Sequence, residues 1–98
     1  MARTPLMVCE DLLEVVSNLD RKLAVIPPKS KTPEPILTGL QNVVAELDII
    51  KGYTHQLIDK FKTKDCKELR VLHKVLFVED IARTRIYTIK YYNQKEEG

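Results

Sequence analysis

The sequence predicts an all-α protein, a small bundle of three to five helices in a single domain covering residues 1–98. Apolar residues recur at intervals of three and four over long stretches, no segment alternates as a strand does, and no Asn-Gly hairpin turn occurs. The hydrophobic fraction of 44% and the charged fraction of 31% are typical of a folded chain rather than a disordered one. We expect helices over roughly residues 5–25, 33–51, 54–63 and 65–93, followed by a frayed tail at 94–98.

The first helix is predicted to begin at Thr4-Pro5, because threonine is a good N-cap and proline suits the first helical turn. It must end before Pro27-Pro28, since the residue before a proline disfavours helical geometry. Residues 27–35 form a stiff, polar, proline-rich connector. The expected apolar stripe consists of Val8, Leu12, Val15, Val16, Leu19 and Leu23.

The second helical stretch is predicted to begin with Thr32 as its N-cap. Gly52 interrupts it at a cost of about 1 kcal/mol relative to alanine. Thr54 could cap a new helix, so we expect a break or kink near Lys51–Thr54, with one long helix as the alternative. The apolar stripe comprises Ile36, Leu40, Val43, Leu47, Ile50, Leu57 and Phe61, widened by Leu37 and Val44.

The last helix is predicted to start with Asp65 and Glu68 in a pattern close to a capping box. Its β-branched content is high, but the stripe keeps helical spacing for about five turns, which favours a helix over a strand. Glu79 is expected to pair with Arg83 at i+4, on the solvated side of this helix. The expected core stripe is Val71, Val75, Val78, Ala82, Ile86 and Ile89, widened by Leu72 and Leu76.

No catalytic motif, phosphate-binding loop or metal-ligand spacing is present, so the sequence predicts a non-enzyme without cofactor or metal. His55 and His73 are expected at the surface. Cys9 and Cys66 are expected to be buried or half-buried thiols in a reducing compartment, and whether they pair stays open. No apolar run is long enough for a transmembrane helix. These features favour an intracellular protein of the cytoplasm or nucleus.

The last helix also carries basic and aromatic residues outside its core stripe, notably Arg85, Tyr87, Tyr91 and Tyr92. Such residues could hold phosphates and stack on bases, so nucleic-acid binding is one hypothesis. The net charge of +2 is too small to imply that partner, and acidic residues dilute the basic ones. The favoured hypothesis is a protein-interaction module, an adaptor or assembly subunit. The apolar stripes are also broader than a short single chain is expected to bury, which suggests a homo-oligomer.

The second half of the chain resembles a known helical domain. Leu47, Ile50, Tyr53-Thr54, Thr63, Lys67 and Leu69 are followed by Leu72–Lys74, Val78, Ile81–Arg83 and Ile89-Lys90. This run is similar to the N-terminal domain of transcription elongation factor TFIIS, which also occurs in elongin A and a Mediator subunit and, in related form, in integrase-binding domains. The chain departs from the family pattern at Lys64, Arg85 and Ile89.

The resemblance implies a compact, right-handed, non-catalytic bundle associated with transcription. Domains of this type bind short acidic and hydrophobic peptides of other proteins, mainly through their last two helices. At matching positions, the resemblance implies a partner-binding site formed by Lys67, Arg70, His73 and Lys74, with Phe77 and Val78 as apolar contacts.

Overall fold

The computed structural model describes residues 4–27, 29, 31–62 and 66–97, with residues 95–97 described as backbone only. Over these ranges the chain forms three α-helices and no strand. They are α1 (Pro5–Ala24), α2 (Glu34–Phe61) and α3 (Lys67–Glu97). The prediction of an all-α helical bundle is therefore confirmed, with the number of helices at the lower end of the expected range.

Helix α1 begins where the sequence predicts. The Thr4 hydroxyl accepts a hydrogen bond from the Met7 backbone N–H at 3.2 Å, and Pro5 occupies the first turn. Threonine thereby satisfies one of the backbone donors that every helix leaves unpaired at its start. The helix ends at Ala24, ahead of Pro27, and basic residues in its last turn complement the helix dipole.

Helix α2 is continuous, and the predicted break near Gly52 is wrong. Leu47, Ile50 and Thr54 are buried on both sides of the glycine, so packing along this face outweighs its low helix propensity. The Thr54 hydroxyl does not cap a new helix but donates to the Ile50 carbonyl at 2.6 Å. A threonine inside a helix commonly satisfies its hydroxyl in this way.

Thr32 is not the N-cap of α2, contrary to expectation. Pro33 occupies that position and provides no side-chain cap. Thr32 is instead buried against α3, where its backbone N–H donates to Asn93 Oδ1 at 2.9 Å. Its hydroxyl accepts from Asn93 Nδ2 at 3.1 Å, so the end of the connector is held on α3 rather than on the helix that it precedes.

Helix α3 extends to Glu97, so the predicted frayed tail at 94–98 is wrong for residues 94–97. Asn93, the last residue of the predicted helix, is buried, and its hydrogen bonds to Thr32 of the connector stabilise the helix just before the stretch where fraying was expected. Asp65, the predicted first residue of the capping box, lies outside the described residues. The Arg70 N–H donates to the Cys66 carbonyl at 3.4 Å at the helix start.

The three helices alternate in direction. Arg85 pairs with Asp20, and Cys9 lies within electrostatic range of Glu68, so α1 and α3 run the same way. Arg83 pairs with Asp48, while Asn93 contacts Thr32 just before α2, so α2 runs the opposite way. The shared core contains Val16, Leu19, Leu23, Leu40, Leu47, Ile50, Val75, Ala82, Ile86 and Ile89.

The bundle is elongated, and α1 and α2 each lie closely along α3 while they approach one another less. The principal extents are 50 × 27 × 18 Å, and the radius of gyration is 15.7 Å. A compact domain of this length has a radius of gyration near 13 Å, by about the scaling that globular domains follow. Among the described residues, no helix is both long enough and apolar enough to cross a membrane.

Candidate interaction surface

The predicted partner-binding residues of α3 fall on two sides of the helix. Arg70, His73, Lys74, Phe77, Tyr87 and Tyr91 are all exposed, and we call this set the α3 outer face. Spacings of three, four, ten and fourteen residues keep them on one side, away from the buried stripe through Val75 and Ile86. Helix α3 thus presents core residues on one side and a basic, aromatic surface on the other.

The aromatic residues of the α3 outer face are largely accessible. The exposed fractions are 69% for Phe77, 66% for Tyr87 and 57% for Tyr91. Fourteen residues separate Phe77 from Tyr91, a distance of about 21 Å along the axis. Large aromatic groups so exposed along one helix face resemble the anchor residues found in protein interfaces.

Tyr91 and Tyr92 form an aromatic pair at the far end of this face. Their ring centroids lie 5.4 Å apart with an interplanar angle of 81°, an edge-to-face arrangement that aromatic rings prefer. Tyr92 is half-buried, so it belongs partly to the bundle. The exposed Tyr91 ring therefore packs against the half-buried Tyr92 ring.

Two other predicted site residues, Val78 and Arg85, do not join the α3 outer face. Val78 is half-buried and packs against the core. Arg85 turns towards α1, where its Nε donates to Asp20 Oδ1 at 2.8 Å. Lys67 is exposed in the first turn, three residues before Arg70 and seven before Lys74, so it extends the N-terminal end of the α3 outer face. The structure therefore brings the predicted residues together only in part.

Glu79 and Arg83 pair as predicted, but their expected location on the solvated side is wrong. Glu79 is only 3% exposed, and it accepts a hydrogen bond from Arg83. The guanidinium also donates to Asp48 of α2, and this hydrogen bond is the main reason that the pKa of Arg83 is raised. A buried carboxylate needs such a partner, since burying an unpaired charge is costly.

The two cysteines are unpaired, one buried and one half-buried, as the sequence predicts for their burial. Burial raises the pKa of the Cys9 thiol above its ordinary value near 9.0, and nearby Glu68 and Cys66 raise it further. A thiol in this environment stays protonated at neutral pH and is a poor nucleophile. His55 and His73 are exposed, as expected. In the described part of the chain, no cluster of potential ligands could hold a metal ion.

Sequence reasoning missed Asp48 as a partner of Arg83 and Asp20 as the partner of Arg85, because partners on other helices leave no local pattern. It also missed the burial of Glu79 and Asn93, for which a signal exists. Leu72, Glu79, Ile86 and Asn93 recur at every seventh position, and all four are buried. A repeat of seven residues marks one side of a packed helix. The repeat could therefore have predicted that Glu79 and Asn93 are buried in the core.

Comparison with known proteins gives no relative: no protein-family model, curated protein or solved structure matches the chain.

Proposed function

We propose that the protein is a non-catalytic interaction module, an adaptor or assembly subunit, that binds another protein through the α3 outer face. The observation that carries this proposal is the exposure of Phe77, Tyr87 and Tyr91 along one face of α3. Single exposed apolar residues are ordinary on protein surfaces. A row of aromatic residues on a rigid, packed helix is more typical of a binding site, since rigid rings lose little entropy on binding.

The charge of this face suggests which partner it binds. Arg70, His73 and Lys74 share one face of the N-terminal half of α3 with Phe77. A segment with acidic residues beside an apolar side chain would complement both features, and the opposite charges would speed its association. The partner we propose is therefore a short acidic and hydrophobic peptide segment. The sequence resemblance to a transcription-factor domain supports the same partner class and a nuclear role.

Nucleic-acid binding has less support. Arg83 is paired with Glu79 and Asp48, and Arg85 is paired with Asp20, so carboxylates already balance two arginines of α3. Binding to phosphates depends on the release of counterions by unbalanced cations. The exposed Lys74 lies three residues before Phe77, where its charge suits an acidic protein segment better than an extended nucleic acid.

Titration of the isotope-labelled protein with acidic and hydrophobic peptides tests the proposal by nuclear magnetic resonance. We expect the amide signals of residues on the α3 outer face, from Arg70 to Tyr91, to shift on binding. The amide signals of α1 and α2 should stay in place. A peptide of the same composition with its apolar residues replaced by serine is the control. If no signal between Arg70 and Val78 moves, the site is elsewhere.

Two matched substitutions distinguish specific binding of the peptide on α3 from nonspecific hydrophobic association. Phe77→Ala should weaken peptide binding about tenfold or more, as loss of an aromatic anchor usually does. Ile49→Ala removes a side chain of similar exposure, 72%, from α2 and should leave the affinity unchanged. Equal effects of the two substitutions would contradict docking on α3.

A further inference from the structure

The end of the bundle at the connector between α1 and α2 carries exposed apolar side chains. Residues 25–27, 31–33 and Ile36 line an open cleft of about 300 Å³ there, and we call these residues the connector tip. Val25 is 80% exposed, more than any other large apolar side chain of the described residues, and Ile36 is 41% exposed. The two prolines of the tip are exposed as well. The fold therefore leaves an apolar patch uncovered at this end.

The charged side chains that line this patch are lysines. Lys31 lines the cleft of the connector tip. A second open cleft, of about 230 Å³, shares Ile26 and Ile36 with the first, and Lys22 lines it. Lys29 of the connector is exposed. No carboxylate lines either cleft, and none of the three lysines forms an ion pair with another described residue.

The carboxylates nearest to the tip in the sequence have other surroundings. Asp20 accepts a hydrogen bond from Arg85 of α3 at 2.8 Å, so its charge is already balanced. Glu34 lines a separate, polar cleft together with Lys90 and Gln94 of α3. The connector tip thus keeps an excess of positive charge beside exposed apolar side chains.

An anionic lipid surface complements both properties of the connector tip. Negatively charged headgroups attract lysines, and each cation near such a surface adds about fivefold to the affinity. Apolar side chains that reach the boundary between headgroups and acyl chains are removed from water there. An extended nucleic acid would match the lysines but would leave Val25 and Ile36 in water.

The position of the connector tip suits a flat surface. The bundle measures 50 × 27 × 18 Å, and the connector lies at one end of its long axis. Hydrogen bonds between Thr32 and Asn93 fix the connector on the end of α3. A tip in this position can touch a plane without contact between that plane and the sides of the helices. This shape favours a bilayer over a protein segment, which would bury more area along a helix face.

We propose that the connector tip docks the protein reversibly on an anionic lipid bilayer, with Val25 among the headgroups and Lys22, Lys29 and Lys31 against their negative charges. The contact is peripheral, since only the tip meets the headgroups. A small apolar patch with a few cations gives weak, reversible binding of this kind. The α3 outer face takes no part in the contact, so docking and peptide binding are independent, and either one can fail without the other.

Sedimentation of the intact chain with lipid vesicles tests the docking. We expect binding to phosphatidylcholine vesicles that contain about 30% phosphatidylserine, little binding to pure phosphatidylcholine, and weaker binding as added salt screens the charges. Lys22→Gln and Lys31→Gln should each weaken binding about fivefold. Lys51→Gln removes an exposed lysine of α2, about 22 Å along the axis from Ile36, and should leave binding unchanged.

A single introduced tryptophan tests whether the tip enters the headgroup layer, since the chain contains none of its own. The fluorescence of Val25→Trp should shift to shorter wavelength on anionic vesicles, because the indole favours the membrane interface. Ile49→Trp, at a position of α2 that is 72% exposed, should show no shift. Val25→Ser keeps the charge and should weaken binding about fivefold, with unchanged helical circular dichroism. Phe77→Ala should bind vesicles as the wild type does.

A wild-type chain that stays in the supernatant with anionic vesicles at low salt overturns the proposal. An equal loss of binding in Lys51→Gln and Lys31→Gln overturns it too, because the attraction would then depend on diffuse charge. Unshifted fluorescence of Val25→Trp on vesicles that bind the chain would place the contact on a different surface. Amide signals of the tip that respond to an acidic, apolar peptide but not to vesicles would assign the tip to a protein partner instead.

Discussion

Asn93 near the end of α3 holds Thr32 at the end of the connector through two hydrogen bonds, although the two residues are 61 positions apart in the chain. The Asn93 amide also donates to the Ile89 carbonyl at 2.8 Å, which fixes the orientation of the side chain on its own helix. Both residues are buried, so these bonds form away from competing water. The contact locks the connector between α1 and α2 onto the third helix.

Asn93→Ala should therefore destabilise the protein by about 1–3 kcal/mol, because it leaves the buried Thr32 N–H without its acceptor. The free energy of unfolding from urea denaturation measures this loss. Asn42→Ala, an exposed asparagine on α2, is the matched control and should change stability by less than about 0.5 kcal/mol. Similar effects of the two changes would mean that the contact does not form in solution.

Arg83→Met should cost about 3–5 kcal/mol, since it leaves the buried Glu79 carboxylate without its partner. Glu79→Leu combined with Arg83→Met should cost less than Arg83→Met alone, because the double variant buries no charge. Thermal and urea denaturation of the three proteins compare these values. If the double variant is less stable than both the wild type and Arg83→Met, the Glu79–Arg83 pair adds more to the stability of the fold than the neutralisation of its two charges.

Gly52→Ala should stabilise the protein by about 0.5–1 kcal/mol. An added Cβ at Gly52 meets no heavy atom within 4 Å, and the residue lies inside a continuous helix. Ala45→Gly, the reverse change at an exposed position of the same helix, should lower stability by a similar amount. A destabilising Gly52→Ala would instead indicate that α2 bends at this point in solution.

The raised pKa of Cys9 predicts a loss of stability in alkali. Below the ordinary thiol pKa near 9.0, the thiol is protonated in both the folded and the unfolded chain, so it imposes no penalty. As the pH rises through that value, the unfolded chain releases the proton while the folded chain retains it, which favours unfolding. Unfolding free energies measured above and below this pH should show the loss, and Cys9→Val should reduce it. An equal alkaline loss in Cys9→Val would assign the effect to other groups.

Local rules predicted the parts of the fold that depend on local chemistry. The Thr4 cap, the end of α1 before Pro27 and the helical spacing of the β-branched run around Val75 all follow from a few neighbouring residues. The same reasoning was wrong at Gly52 and at Thr32. There, burial against α3 provides packing and hydrogen-bond partners that no local pattern reveals.

The helical period of the sequence was enough to predict which side chains of the candidate surface are exposed. Phe77, Tyr87 and Tyr91 fall outside the apolar stripe in the sequence and are exposed in the structure. Arg85 also falls outside the stripe, but its pairing with Asp20 depends on how α1 lies along α3. The spacing of apolar residues along a helix predicts which face is buried. The partners of a side chain depend instead on how all three helices are arranged.

Because the bundle has an odd number of alternating helices, the described chain ends lie at opposite poles of the molecule. Helix α1 starts at one pole, and α3, which runs the same way for 31 residues, ends at the other after about 46 Å. Fluorophores attached near Thr4 and Gln94 would therefore report the full length of the rod by energy transfer. Any two domains fused to these ends would be held apart at a fixed spacing, which makes the protein usable as a rigid spacer.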